Sequence, residues 1–248
     1  MKAILTYHSV DDSGSVISID PPTFRRHVEW LASGRVRVVP LDELPARPET
    51  EDAVALTFDD GFANVGEIAV PLLRDHGLPA TLFIVTDAVG TDNRWQGRGD
   101  AGIPVMPLLG WNALGKLAEQ GIALGAHGCT HADLGSLDGA ATEQEIVASR
   151  ARLASELGID AHTFAYAYGR VTDAAHGVVA RHFRYGCTTR LATLRADDDA
   201  ALLPRLDGYY LRVPGALEAW GTARFRWRVG LLAGARSVRG TLTRSLAR

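Results

Sequence analysis

The chain of 248 residues is 46% hydrophobic and 22% charged, and its formal net charge at pH 7 is −3. This composition is typical of a globular protein with an ample core, and two cysteines are too few for a disulfide framework. The first apolar stretch, residues 3–5, is too short for a signal peptide or a membrane span, so we expect a cytoplasmic protein.

Strands and helices are predicted to alternate along the chain. Asp20 is a plausible helix N-cap because Pro21 follows it with a pre-set φ. Apolar runs predict buried strands at residues 54–58, 80–85, 122–126, 162–168 and 186–190. Helices are predicted at residues 64–76, 111–120 and 140–157. This alternation predicts a parallel sheet or barrel covered by helices, in which active groups collect at the carboxyl ends of the strands.

The first polar motif is LTFDDG, in which two acids follow the strand at residues 54–58. Asp59 and Asp60 are adjacent, and adjacent residues on an extended segment point to opposite sides. One carboxylate can then bind a metal while the other handles protons. The alternative is an ordinary acidic turn, with Asp60 and Gly61 as a turn dipeptide.

The second motif is GAHGCTHADL, in which His127 and His131 are four residues apart. On a helical turn or a tight loop this spacing brings both imidazoles within reach of one cation. In a chain with eight histidines such a pair can also arise by chance. Two histidines and one carboxylate form a three-ligand site that leaves room for water. Cys129 is interpreted as a spacer, since three ligands suffice.

The third motif is FAYAYG at residues 164–169, an apolar strand that ends at glycine. Most aromatic-rich strands are core, and a buried tyrosine usually needs only a hydrogen-bond partner. Tyr168 is the candidate site residue of this motif because it stands next to the glycine.

The motifs occur along the chain in the order TFDDG, HGCTH and FAYAYG, followed by LPRLD. This series resembles the motifs of the polysaccharide deacetylase family, also called the NodB-homology or carbohydrate esterase family 4 group. The resemblance covers roughly residues 1–210. It implies an α/β fold, a distorted and incomplete (β/α) barrel, and metal-dependent removal of an N-acetyl group. We therefore expect residues 1–218 to form a catalytic domain.

The resemblance also implies a role for each motif residue. Asp60, His127 and His131 would bind one divalent metal, most commonly Zn²⁺, with Co²⁺, Mn²⁺ or Ni²⁺ as alternatives. Asp59 would be the general base, and the backbone N–H of Tyr168 would help to hold the oxyanion. Such a metal polarises an amide carbonyl and lowers the pKa of water, but the departing amine still needs an acid.

The acid is where the sequence departs from the common family pattern. Many members take it from a late L-x-H motif, whereas no histidine follows His182 in this chain. One branch of the family, which resembles PgaB, instead carries a YH motif at the start of the domain, and LTYHSV is similar to it. His8 is therefore the candidate general acid, and the alternative is a structural histidine.

A second departure concerns the support of the base. Members with an R-x-P-Y-G motif use its arginine to orient the base, but Ala165 stands at that position here. Ala167 replaces the proline, which predicts a less rigid loop. Arg205 in LPRLD is the candidate substitute, through a bidentate contact with Asp59. The alternative is a surface arginine before a turn.

The substrate is expected to be an N-acetylated sugar: a polysaccharide, a lipid-linked intermediate or a glycoconjugate precursor. Trp95 and Trp111 are candidates for stacking on a sugar ring, and packing is the alternative for both. A metal hydrolase of the same family acting on an ester, a formyl amide or a cyclic imide remains open. So does a non-catalytic carbohydrate-binding relative.

The end of the chain differs from the rest in charge. Residues 219–248 carry seven arginines and no acid, so the first 218 residues hold 19 basic residues against all 29 acidic ones, a balance of −10. A basic C-terminal extension is therefore predicted, with an apolar stripe at Leu231, Ala235, Val238, Leu242 and Leu246. Peripheral contact with the inner face of a membrane is one interpretation, and packing on the acidic body is the other. Nucleic acid is not expected, because no motif supports it.

Overall fold

The computed structural model describes the backbone of residues 1–246 and the side chains of residues 1–235. A parallel sheet lies at its centre. In the described part of the chain the strands are β1 (Lys2–Tyr7), β2 (Ser9–Val10), β3 (Ser18–Ile19), β4 (Arg37–Val38), β5 (Ala53–Phe58), β6 (Thr81–Ile84), β7 (Ala123–Ala126), β8 (Thr163–Ala165), β9 (Tyr185–Cys187) and β10 (Leu206–Asp207).

The main sheet has the order β10-β1-β5-β6-β7-β8-β9. The short strand β4 also pairs with β5, at the start of β5, whereas β6 pairs with the end of β5. All of its ladders are parallel, and β2 with β3 forms a separate two-stranded ribbon. In the described residues no ladder joins the outer strands β9 and β10; Cys187 of β9 instead forms an isolated bridge with Leu203, which precedes β10. The sheet is thus curled but not closed by a continuous ladder, and the predicted distorted, incomplete (β/α) barrel is confirmed.

Helices cover the outer side of the sheet. They are α1 (Pro21–Ala32), α2 (Val70–Asp75), α3 (Trp111–Glu119), α4 (Gly139–Leu157), α5 (Asp173–His182) and α6 (Ala223–Leu246). A π-helical turn, Val65–Ala69, leads into α2. Asp20 caps α1 as predicted, its carboxylate accepting a hydrogen bond from the backbone N–H of Thr23 at 2.9 Å.

The predicted strand at residues 162–168 is too long. It ends at Ala165, and a short 3₁₀ turn occupies Ala167–Gly169. Within that turn Tyr168 has φ +55°, a left-handed conformation that an extended strand cannot contain. Aromatic composition indicated the strand correctly but could not indicate where the backbone turns.

Two layers of apolar side chains pack on the two faces of the sheet. The barrel interior is filled by a small cluster that includes Ile4, Ala55, Phe83 and Ala165. The larger cluster lies between the sheet and the helices. Because both faces are buried, β1 and β5 read as continuous apolar runs and not as alternating ones.

The arginine-rich segment begins in contact with this larger cluster. Phe225 is 1% exposed, and the ring of Trp220 lies 6.1 Å from that of Trp30. None of the helices in the described residues has the length and apolar character needed to cross a bilayer. Of the predicted apolar stripe, Val238, Leu242 and Leu246 lie outside the residues whose side chains are described.

Candidate metal centre and active site

The predicted site residues gather in one cavity at the carboxyl ends of the strands. Its volume is about 480 Å³, within the range of small-ligand sites. The cavity is lined by His8 after β1, Asp59 and Asp60 after β5, His127 and His131 after β7, and Tyr168 after β8. Parallel strands bring their carboxyl ends to one edge, which is why residues far apart in sequence meet here.

Three of these residues converge on one point. One ligand atom from each of Asp60, His127 and His131 lies within 4.8 Å of the others, and all three residues are buried. Nε2 of His127 is 3.3 Å and Nε2 of His131 is 3.4 Å from Oδ1 of Asp60. Oδ1 of Asp60 nevertheless has no hydrogen-bond donor in the described structure. A buried carboxylate oxygen without a donor, facing two imidazole nitrogens, fits a bound cation.

The orientation of His127 supports this fit. Its Nδ1–H donates to the backbone carbonyl of Ala165 at 2.7 Å, which leaves Nε2 of the neutral ring with a lone pair directed at Asp60. Burial opposes protonation of this ring, but the carboxylates of Asp60 and Asp59 outweigh it and raise the pKa of His127. The site therefore attracts positive charge, and a divalent cation would compete there with a proton.

Asp59 has a different environment from that of its neighbour. The guanidinium of Arg205 donates two hydrogen bonds to its carboxylate, at 2.6 and 2.7 Å. Arg205 is 2% exposed and also donates to Thr6 Oγ1 and to the carbonyl of Thr188. Burial would raise the pKa of Asp59, but the charge of Arg205 outweighs it and holds that pKa below its ordinary value. Asp59 is therefore ionised at neutral pH.

Both aspartates face the same cavity, contrary to the expectation from strand alternation. The reason is that β5 ends at Phe58 and Asp60 has φ +73°. A left-handed residue turns the chain, so the side chains no longer alternate across a sheet. The two carboxylates do have different partners, as expected, but the turn and not the pleat separates them.

Left-handed backbone is concentrated in this site. Asp60, His131 and Tyr168 are three of the four non-glycine residues with positive φ in the described chain, the fourth being Gln96. Such residues cost about 1–3 kcal/mol each and persist only where the surrounding structure holds them. The half-exposed Tyr168 side chain packs edge-on against His131, with ring centroids 4.6 Å apart.

His8 lies between the cavity and solvent, directly after β1. Its Nε2 is 3.8 Å from Oδ2 of Asp59, and its side chain is 23% exposed. Tyr7 precedes it and is buried, and its hydroxyl donates to Nδ1 of His27 at 3.0 Å. Nε2–H of His27 in turn donates to the carbonyl of Leu211, so β1, α1 and the turn after β10 are joined behind His8.

The two candidate stacking tryptophans lie in different places. Trp95 lines the cavity, but it is 9% exposed and its ring packs on His131 with centroids 4.4 Å apart. Trp111 begins α3, away from the cavity lining, where its ring lies 5.8 Å from the guanidinium of Arg152. Cys129 is half-buried and is not among the three converging groups.

Sequence reasoning missed Glu145, which holds the loop that carries His131. Oε1 of this buried residue accepts hydrogen bonds from the backbone N–H of Thr130 at 2.7 Å and of Ala132 at 3.4 Å. Gly128 lies against it, since an added Cβ there would stand 2.7 Å from Oε1. In the sequence, the only indication of this role is that Glu145 directly precedes the apolar Ile146 within the predicted helix at residues 140–157, and both residues are buried in the structure.

A family model described as polysaccharide deacetylase matches residues 46–185, more than half of the chain. This chain belongs to the polysaccharide deacetylase family. Asp59, Asp60, His127, His131 and Tyr168 lie inside the matched region, whereas His8 and Arg205 lie outside it.

Similar curated proteins are distant or much longer. YxkH of Bacillus subtilis (strain 168), provisionally described as a polysaccharide deacetylase, is 24% identical over 152 residues, 59% of this chain. A gellan lyase of Bacillus sp is 28% identical over 157 residues. The matches span 49% of YxkH and 6% of the gellan lyase.

Solved structures share the fold. The deacetylase PplD of Streptococcus pyogenes, in complex with acetate, superposes with a TM-score of 0.70 at 20% identity, covering 83% of this chain and 91% of PplD. IcaB of Ammonifex degensii also gives 0.70, at 23% identity, covering 84% of this chain and 93% of IcaB. These similarities establish the incomplete barrel for this chain.

Proposed function

We propose that this protein is a metal-dependent hydrolase that removes an N-acetyl group from an N-acetylated sugar. The observation that carries the proposal is the convergence of Asp60, His127 and His131 beside an ionised Asp59 in a cavity of about 480 Å³. Family membership supports deacetylation of a carbohydrate. PplD is described in complex with acetate, the acid that such a reaction releases, and we extend that product to this chain.

The three converging residues would hold Zn²⁺ or a similar divalent ion, since two imidazoles and a carboxylate leave a position open for water and substrate. The bound ion would supply carbonyl polarisation and a lower pKa of water. Asp59, ionised and fixed by Arg205, accepts the proton of the attacking water. The backbone N–H of Tyr168, which lies in the left-handed turn after β8, would donate to the oxyanion.

His8 is proposed to protonate the departing amine. Its partly buried ring borders the same cavity, and its Nε2 is 3.8 Å from Oδ2 of Asp59, so the proposed acid and base are neighbours. Imidazole suits this role because it carries and releases a proton near neutral pH. The N-terminal YH motif, the branch of the family that carries it and the choice of zinc are parts of this proposal.

The direct test measures amine and acetate release from N-acetylglucosamine oligomers and from an N-acetylated lipid-linked sugar, with the metal content determined in the same preparation. We expect one divalent ion per chain and stoichiometric acetate and amine. His131→Ala should abolish both metal retention and activity. Stoichiometric zinc in that variant, or release of an acid other than acetate, would contradict the proposal.

A second test addresses the leaving group. A phenolate departs without a proton, whereas an amine does not, so His8→Ala should reduce amide hydrolysis far more than hydrolysis of an aryl acetate. The rates of both reactions are compared in the wild type and the variant. Equal losses on the two substrates would show that His8 has only a structural role.

A further inference from the structure

The outer face of α6 is apolar and exposed. Trp227 is 69% and Leu231 is 53% exposed, and Ala235, four residues further, is also exposed. The helix packs on the body through a different face, with Phe225 and Val229 buried. For Leu231 and Ala235, the expectation that the apolar stripe packs on the acidic body is therefore wrong. The stripe begins one turn earlier, at Trp227, and points away from the body.

The charge around this stripe is of one sign. Residues 219–248 contain seven arginines and neither aspartate nor glutamate. Arg224 is exposed and precedes Trp227 by three residues, so it lies on the same side of the helix. An apolar stripe with an aromatic residue, flanked by arginines, is the pattern of a helix that lies in a lipid–water interface.

A second copy of the chain fits this face less well. Two α6 helices packed face to face would bring their arginines together, and like charges oppose that contact. The large exposed hydrophobic residues that the structure describes on the body are Val16, Val105, Val171 and Val213, with Tyr168 in the cavity. An anionic lipid surface satisfies both the arginines and the apolar stripe.

The helix also touches the border of the catalytic cavity. Arg228 Nη2 donates to the backbone carbonyl of Tyr210 at 2.9 Å, and Tyr210 lines the cavity. Further along α6, Ala233 borders an apolar groove of about 420 Å³ that shares Thr189 with the cavity. The helix that carries the stripe is therefore joined to the border of the cavity through its body-facing side.

We propose that α6 docks the protein on an anionic membrane surface, with the stripe that starts at Trp227 and Leu231 inserted among the lipid headgroups and the arginines paired with lipid phosphates. The contact is peripheral, since none of the described helices can span a bilayer. It is independent of the reaction proposed above, because binding is measured without substrate.

The test is co-sedimentation of the full chain with two kinds of vesicle, phosphatidylcholine alone and phosphatidylcholine mixed with phosphatidylglycerol. We expect binding to the anionic vesicles, and weaker binding as salt screens the arginines. The double variant Trp227→Ala/Leu231→Ala should lower the vesicle partition coefficient by about tenfold or more. Val105→Ala/Val213→Ala removes two exposed apolar side chains from the body and should bind like the wild type.

Circular dichroism of each variant confirms that loss of binding is not loss of folding. Failure of the wild type to bind anionic vesicles at low salt would overturn the proposal, and so would unchanged binding of the Trp227/Leu231 variant. Sedimentation equilibrium without lipid gives the remaining outcome. A wild-type dimer that becomes monomeric in this variant would assign the stripe to a second copy of the chain and not to a membrane.

Discussion

The candidate active-site cavity has two halves built on adjacent aspartates. In the half proposed to bind a metal, here called the metal half and formed by Asp60, His127 and His131, a buried carboxylate oxygen has no hydrogen-bond donor and faces two imidazole nitrogens. In the half proposed to contain the general base, here called the base half and formed by Asp59, Arg205 and His8, the carboxylate accepts two hydrogen bonds from a buried guanidinium. Asp59 and Asp60 are 2% and 6% exposed, so burial alone does not distinguish the two carboxylates.

The difference shows how two identical side chains obtain different environments in one cavity. The protein supplies its own cation to Asp59, which holds that carboxylate in its charged form, as the proposed role of proton acceptor requires. Asp60 instead faces the imidazole nitrogens of His127 and His131, whose lone pairs, like the carboxylate, can bind a cation from outside the protein. Because the two side chains are identical, the difference between them comes from their neighbours.

The largest expected effect comes from replacing each aspartate by asparagine in turn. Asp60→Asn removes the negatively charged ligand of the proposed metal site, so metal retention should be lost and kcat/KM should fall by about a thousandfold or more. Asp59→Asn should keep the metal and lose on the order of a hundredfold or more in rate, as expected for a general base. Metal analysis after dialysis separates the two. Equally weak metal binding in both variants would show that the two halves are not distinct.

Next in size is the loss of the internal cation. Arg205→Met leaves Asp59 buried without its partner, so the free energy of unfolding should fall by about 3–5 kcal/mol in a urea titration. Arg195→Met is the matched control, because Arg195 contacts Asp197 in solvent. That change should cost less than about 1 kcal/mol. Similar losses in the two variants would contradict a structural role for the buried pair.

A third prediction concerns the histidine behind the base half. Burial lowers the pKa of His27 to about 4, whereas an unfolded histidine titrates near 6.5. Between these values the unfolded state binds more protons than the folded state. Stability should therefore decline as the pH falls from about 6.5 to about 4, by up to roughly 3 kcal/mol from this residue.

His27→Gln should reduce that slope, because glutamine can accept from Tyr7 and donate to Leu211 without titrating. His162→Gln, at an exposed histidine, is the control and should leave the slope unchanged. The measurement is the urea midpoint as a function of pH. A slope that is the same in His27→Gln and the wild type would show that His27 does not cause it.

The smallest effect is expected from the residue that positions the metal half. Glu145→Ala removes the acceptor for the N–H groups on both sides of His131, so metal affinity should fall by about 10–100-fold in a chelator competition. Glu145→Gln keeps an acceptor oxygen and should retain most of the affinity. Glu143→Ala, at an exposed acid on the same helix, should change nothing. If Glu145→Gln also lost metal affinity, the negative charge of Glu145, and not its hydrogen bonds to the loop, would be what the metal site requires.

The sequence by itself determined most of the frame. Apolar runs predicted β5, β6 and β7 to within a residue or two, and Asp20 was correctly predicted as the N-cap of α1. These predictions succeed because buried parallel strands and capped helices depend on local patterns. The polar motifs at the strand ends also identified the residues that meet in the cavity, since parallel strands end at one edge.

Only the tertiary structure decided how those residues are arranged. The turn at Asp60 that places both aspartates in one cavity depends on how the strand end is held. The sequence offered a bidentate contact of Arg205 with Asp59 or a surface arginine, and the structure decides for the buried contact. Glu145 is invisible to motif reasoning because its hydrogen bonds connect a helix to a loop. The exposure of Trp227 and Leu231 depends on which face of α6 meets the body. Periodicity in a sequence defines the faces of a helix, but packing against the rest of the molecule selects the one that is buried.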